Sequence, residues 1–195
     1  MAKDMESFQS QEEKRQKRMK LAAYIGAFAV FQVIVILVFA LVVMKVKTPK
    51  FRIGNGIEIQ SLTAGTQSSP SFDMSFFAPI RIKNTNFGPY KYDAATVNFT
   101  YGGMQVGQVA IPKSKANFKS TKKVDVIVSV NSDALTSTSG LRSELNSGVL
   151  TLNSQGRMNG KVELMLIFKK KKSTNMNCTM AINVSTKAVQ SLSCK

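Results

Sequence analysis

The chain has 195 residues, with 27 Lys and Arg against 11 Asp and Glu and no histidine, a formal charge of +16 at pH 7. The missing imidazole excludes Ser-His-Asp triads and histidine metal sites. No C-x-x-C pair or G-x-x-x-x-G-K phosphate loop is present, and the acidic residues after position 44 (Glu58, Asp73, Asp93, Asp125, Asp133, Glu144, Glu163) stand singly, so acid-base catalysis has little to work with.

The first 20 residues form a basic tail. From Leu21 to Met44 the chain reads LAAYIGAFAVFQVIVILVFALVVM, without a charge and with one amide, Gln32. At 1.5 Å per residue a helix of that length reaches about 36 Å, enough to cross a hydrocarbon core of roughly 30 Å. A core helix would keep a polar stripe, and a cleavable signal would have a shorter apolar stretch ending in small residues. The run therefore predicts a single transmembrane signal-anchor helix. Six basic residues precede it (Lys3, Lys14, Arg15, Lys17, Arg18, Lys20) and four follow (Lys45, Lys47, Lys50, Arg52). That bias favours a cytoplasmic amino terminus and translocation of residues 45–195 across a secretory-pathway membrane. Ala22, Gly26, Ala29 and Gln32 share one side of the helix, a stripe suited to a homo-oligomer or a membrane-protein partner.

Residues 45–195 are expected to form one domain. They hold 21 basic and 7 acidic residues, a net of +14. Such a domain suits anionic lipid or an acidic wall polysaccharide; nucleic acid fits worst, because its usual recognition signatures are absent. Lysines that merely solvate a β-surface are the plainer reading.

From Phe51 onward apolar residues recur with period two, the pattern of antiparallel strands. Ile57 and Ile59 alternate with Glu58 and Gln60. Phe76, Ala78, Ile80 and Ile82 share one face, and Asn84 to Pro89 reads as a turn whose Gly88 and Pro89 supply unusual dihedrals. Val97, Phe99 and Tyr101 lead through Gly102-Gly103 into Met104 to Ile111, a hairpin. Val124, Val126, Val128 and Val130 make an inward stripe. A short helix is expected over 138–146, stopped by Gly148. Further strands are expected over 149–152, 161–168, 176–185 and 189–194. Between two of them lies Lys169-Lys170-Lys171-Lys172, either a lipid- or polyanion-facing patch or a solvated loop.

Seven to nine strands in about 150 residues predict an all-β fold, an antiparallel β-sandwich of fibronectin III or immunoglobulin-like kind. Cys178 and Cys194 would form one disulfide in an oxidising compartment, or remain two buried thiols. Three N-x-[ST] sequons, at Asn98, Asn177 and Asn183, put their asparagines on outward strand positions, as N-glycosylation requires.

The stretch from Ile80 to Asp93, IRIKNTNFGPYKYD, followed by Val97 to Gly103 and Val106-Gly107, resembles the plant late embryogenesis abundant group 2 family. That family overlaps the harpin-induced-like, non-race-specific disease resistance group and is often labelled hydroxyproline-rich glycoprotein. Gly148 to Leu152, Gly160-Lys161-Val162, Asn177 to Met180 and Leu192 to Lys195 carry the same likeness. The turn motif is Asn84, Asn86, Gly88 and Tyr90; the family's usual Asn-Pro-Asn turn is Asn84-Thr85-Asn86 here, and five prolines give no proline-rich tract. The resemblance implies a β-sandwich held at a plant membrane, often the plasma membrane, and acting in stress or defence, with no cofactor and no catalytic residue. A lipid-binding groove between the sheets and a defence-signalling role are its alternatives.

Overall fold

A computed structural model describes residues 2–43, 45–164 and 168–195. Met44, which closes the apolar run, lies outside the described residues, as do Met165 to Ile167 of the expected strand over 161–168. The chain divides into two compact units between Lys45 and Val46. The first is helix α1, Ala2–Val43. Its large apolar side chains lie on every side: Ile25, Phe28, Phe31, Ile34 and Leu37 are each more than half exposed. With no polar face opposite an apolar one, it lacks the amphipathic pattern that seats a helix on a soluble core.

The second unit is almost entirely antiparallel β-structure. In the first sheet β3 (Phe72–Lys83) is central, flanked along one edge by β1 (Lys50–Ile53) and β2 (Glu58–Ala64) and along the other by β8 (Thr121–Asn131). In the second, β9 (Val149–Leu164) lies between β10 (Phe168–Asn183) on one side and β4 (Tyr90–Tyr92) and β5 (Ala95–Tyr101) on the other. β11 (Ala188–Cys194) extends that sheet beyond β10, while β7 (Ser114–Ala116) and β6 (Met104–Ile111) pair with β4 and β5. Helix α2 (Ser139–Ser147) ends at Gly148, whose left-handed backbone donates to Glu144 and Leu145 carbonyls. Buried side chains of both sheets form one core. Phe76 of the first sheet meets Phe99 of the second edge-on at 5.5 Å, and Phe72 meets Tyr101 at 6.0 Å.

Eleven strands are present among the described residues, more than the seven to nine expected. The additions are short: β1, β4 and β7 have four, three and three residues, too few for a clear alternation. A bulge between Ile59 and Ser61 brings Leu62 into the core and leaves Ser61 exposed, breaking the expected alternation. Val128 and Val130 are buried, but Val124 and Val126 are only half-buried.

The segment expected over 149–152 and the start of that over 161–168, as far as Leu164, join into the single strand β9, while Phe168 opens β10; Gly156 and Gly160 lie inside β9 and serve close packing. A Cβ on Gly160 would sit 2.7 Å from the Tyr90 ring and 2.5 Å from the Lys91 carbonyl oxygen. Gly88 is explained the same way. Positive φ occurs at Gly56, Gly102, Gly103 and Gly148 and not at Gly88, whose missing Cβ admits the Glu163 carbonyl.

Gly160→Ala forces a methyl group into this contact and should cost about 1–3 kcal/mol. Urea denaturation of the full chain in detergent micelles checks it, with Gly140→Ala, where an added Cβ lies 3.5 Å from the Tyr101 hydroxyl, as the near-neutral comparison.

Candidate functional site: the basic proximal pole

Strand direction brings four segments to the end of the domain nearest the helix in sequence. They are Val46 to Lys50, the β3–β4 turn (84–89), the β7–β8 turn (117–120) and the β9–β10 end at Leu164 and Phe168. Buried Asn84 and Asn86 bind this pole together. The Asn84 amide nitrogen donates to the carbonyls of Gly88 (2.8 Å), Ala116 (3.1 Å) and Asn117 (2.9 Å). Its oxygen accepts from the Asn86 backbone N–H at 3.0 Å and from the Asn86 amide at 2.9 Å. Asn86 pairs with the backbone of Lys47 as a neighbouring strand would, accepting from its N–H at 2.6 Å and donating to its carbonyl at 2.8 Å. Tyr90 reaches across the second sheet, and its hydroxyl donates to the Lys172 carbonyl at 3.1 Å. Burial, then Asp93 and Tyr92, push that hydroxyl's pKa up to about 12, so it stays a donor at physiological pH.

Around this clamp the register lines up basic residues from distant parts of the sequence. Lys115, Lys91, Lys161 and Lys171 lie side by side across β7, β4, β9 and β10, all exposed. Directly opposed residues share a face with Cβ atoms about 5 Å apart, and like charges so placed repel. Lys91, Lys161 and Lys171 of the row border an open hollow of ≈ 630 Å³ that also includes Asp93, Asn159, Glu163 and Lys169. Glu163, its side chain only 12% exposed, is paired with Lys91 at 2.7 Å and Lys169 at 4.0 Å. The Lys91 hydrogen bond holds Glu163 below the ordinary carboxylate range, with the charges of Lys91, Lys169 and Lys161 in support and partial desolvation opposing.

The first sheet carries a second row, Arg52, Arg81 and Lys123, with Lys50 and Lys83 beside it. Arg81 packs over Gly54, and its buried Nε has no hydrogen-bond partner. Of the other acidic residues, Asp93 lines the same hollow, Glu58 and Asp125 stand beside mid-strand positions, and Asp73, Asp133 and Glu144 lie toward the opposite end. The pole is thus a surface of concentrated positive charge. Among the described residues no three of the acidic and cysteine side chains converge on one point.

The sequence-derived candidates scatter. Lys169 to Lys172 is not a loop but begins strand β10, with Lys169, Lys170 and Lys171 exposed and Lys172 half-buried. Lys169 and Lys171 stand opposite Glu163 and Lys161 on the outer face, while Lys170 and Lys172 stand opposite buried Val162 and Gly160. Cys178 and Cys194 face each other across β10 and β11 with Cα atoms 4.0 Å apart and their sulfurs joined. Asn98 and Asn177 flank Gln155 in one outer row, separated by a single strand and hence by about 10 Å. Asn98 is half-buried and Asn177 exposed; half-buried Asn183 accepts the Thr186 N–H at 2.8 Å. Leu21 and Gln32 lie in α1 with exposed side chains. The lysine and arginine rows escaped sequence reading. Lys91 between Tyr90 and Tyr92, and Arg81 between Ile80 and Ile82, mark outward positions, but only the register says which residues stand beside them.

An antiparallel two-sheet domain with an asparagine-clamped basic pole defines the class. The family model described as Late embryogenesis abundant protein matches residues 79–180, just over half of the chain. This chain belongs to the late embryogenesis abundant group 2 family. A late embryogenesis abundant protein of Arabidopsis thaliana is 25% identical over 170 residues, covering 83% of this chain and 79% of the relative. Among solved structures, an Arabidopsis thaliana protein in solution matches 68% of this chain and 82% of its own at 14% identity and a TM-score of 0.36. A late embryogenesis abundant protein in solution matches 75% and 78% at 12% identity, also with a TM-score of 0.36.

Asn84→Ala leaves three carbonyls short of a donor and should destabilise the domain by roughly 3 kcal/mol, read as a lower denaturant midpoint. The Glu163 pairing has a pH signature. Because the folded carboxyl titrates below its ordinary value of 4.5, its stabilisation is complete above 4.5 and is lost as pH falls through the lowered value. Denaturation midpoints of wild type and Glu163→Gln should therefore differ at pH 7 and converge toward pH 3.

Proposed function

We propose that this protein is a non-enzymatic, single-pass membrane protein. Its β-sandwich domain acts in plant stress or defence at the cell surface by holding an anionic surface against its basic pole. The observation that carries the reading is the union of an apolar-all-round helix with a domain whose positive charge is gathered at the pole adjoining that helix in sequence. The pattern favours an anchor over a cleaved signal, since the apolar run exceeds a signal's length. The core shared by both sheets and the Phe76–Phe99 contact support the sandwich.

The surface is an anionic lipid headgroup layer or an acidic wall polysaccharide, whose phosphates or carboxylates suit rows of lysine and arginine. Family membership supports the stress role. A plasma-membrane location with a cytoplasmic amino terminus agrees with the six-to-four charge bias, the Cys178–Cys194 pairing and exposed Asn177. N-glycosylation at Asn98, Asn177 or Asn183 belongs to the same reading. A lipid-binding groove is the second reading. Its best support is a hollow of ≈ 400 Å³ between the edge strands β2 and β11, lined in part by Ile57, Ile59, Val189 and Leu192.

Two measurements test the proposal. After alkaline washing, the full chain should float with vesicles and residues 45–195 should resist protease in sealed right-side-in microsomes; a digested domain contradicts the orientation. Lys91→Glu with Lys161→Glu should weaken binding of the micelle-held chain to polygalacturonate or anionic vesicles at least roughly tenfold, since each basic residue near such a surface is worth about 1 kcal/mol. Unchanged, salt-insensitive binding contradicts the role of the pole.

A further inference from the structure

Three of the five large hydrophobic side chains exposed among the described residues of the domain, Phe87, Phe118 and Phe168, are gathered at the proximal pole. Phe87 and Phe118 come from different turns, yet their rings meet at 5.6 Å. Lys119 lies over them, its Nζ 3.8 Å from the Phe87 centroid and 5.8 Å from that of Phe118. The placement is built into the fold. Lys119 has a φ of 43°, a left-handed conformation unusual for lysine, held by its N–H donating to the Asn86 carbonyl at 3.2 Å. Such conformations persist where the surroundings over-determine them.

We propose that Phe87 and Phe118 form an interfacial membrane anchor. The two rings sit in the headgroup–acyl boundary of the bilayer crossed by α1, and the Lys119 ammonium stands at the level of the lipid phosphates. This deepens the membrane-anchored reading and rests on it. Three peptide steps separate Met44, the last residue of the apolar run, from Lys47, a reach of about 11 Å at full extension. Lys47 is hydrogen-bonded to Asn86, the residue before Phe87. The tip is thereby tethered within a short reach of the hydrocarbon edge. Rings with a cation beside them fit that zone, where aromatic side chains favour the boundary and lysine keeps its charge in water. The flanking basic rows would meet anionic headgroups as the rings enter. The tip thus fixes which way the domain faces, which a flexible tether alone does not.

The chain has no tryptophan, so one introduced ring reports its own surroundings. Full-length Phe87→Trp and Phe118→Trp are reconstituted into vesicles of phosphatidylcholine with phosphatidylserine, with and without brominated acyl chains. Ile127→Trp, at an exposed mid-strand position of β8, serves as reference. The anchor predicts blue-shifted emission and at least twofold quenching by brominated lipid at positions 87 and 118, with little of either at 127. Lys119→Glu in the Phe87→Trp background should reduce that quenching. Water-like emission at 87 and 118, accessible to acrylamide and unquenched by brominated lipid, overturns the anchor, and a tip reserved for a protein partner would give that result. Flotation after alkaline washing separates the two readings: chains that float with water-exposed tips defeat the anchor alone, and chains that strip from the vesicles defeat the span as well.

Discussion

The proximal pole depends on the buried amides of Asn84 and Asn86. Burying two amides is costly unless their donors and acceptors are used, and here both side chains are engaged on both sides. Asn86 gives the backbone at Lys47 the pairing a strand would give it, and Asn84 gathers the carbonyls of two turns. Gly88, between them in function, lets the β9–β10 end approach closely enough for Glu163 to hydrogen-bond to Pro89 through the backbone. One compact polar network therefore sets the positions of four segments far apart in sequence.

That arrangement has an electrostatic consequence. Four lysines in one cross-strand row, with Glu163 and Asp93 as neighbouring carboxylates, form a surface of higher energy than one with alternating charges. Salt screens such a row over about 8 Å at physiological ionic strength, so a bound polyanion relieves the repulsion more than mobile ions do. The first sheet repeats the pattern with Arg52, Arg81 and Lys123. A lone pairing of this kind would be an accident of surface chemistry; two rows at the same pole, with most acids elsewhere, make a polarised domain.

Most of the architecture was legible in the residues because period two reports burial directly. Phe76, Ala78, Ile80 and Ile82, and again Met176, Cys178, Met180 and Ile182, are buried as their spacing requires, and helix α2 stops at Gly148 as expected. The departures arise where an element is too short or bulged to show the alternation and where a tertiary contact decides. Gly156 and Gly160 are clearances for Phe51, Val97 and Tyr90 inside one long strand. Lys169 to Lys172 begins strand β10 and is not a loop. The turn motif was visible as Asn84, Asn86, Gly88 and Tyr90; its partner Lys47, 39 residues away from Asn86, was not, because no local pattern marks a backbone as the mate of a distant amide.

The same network makes the domain's first residues part of its folded body and not a loose linker. Hydrogen exchange at the Lys47 amide in the full-length chain tests this most directly. A clamp through Asn86 predicts that this amide is protected to a degree comparable with core amides of β3 and loses protection in Asn86→Ala. Exchange at the rate of an unstructured peptide in the wild-type chain would contradict it.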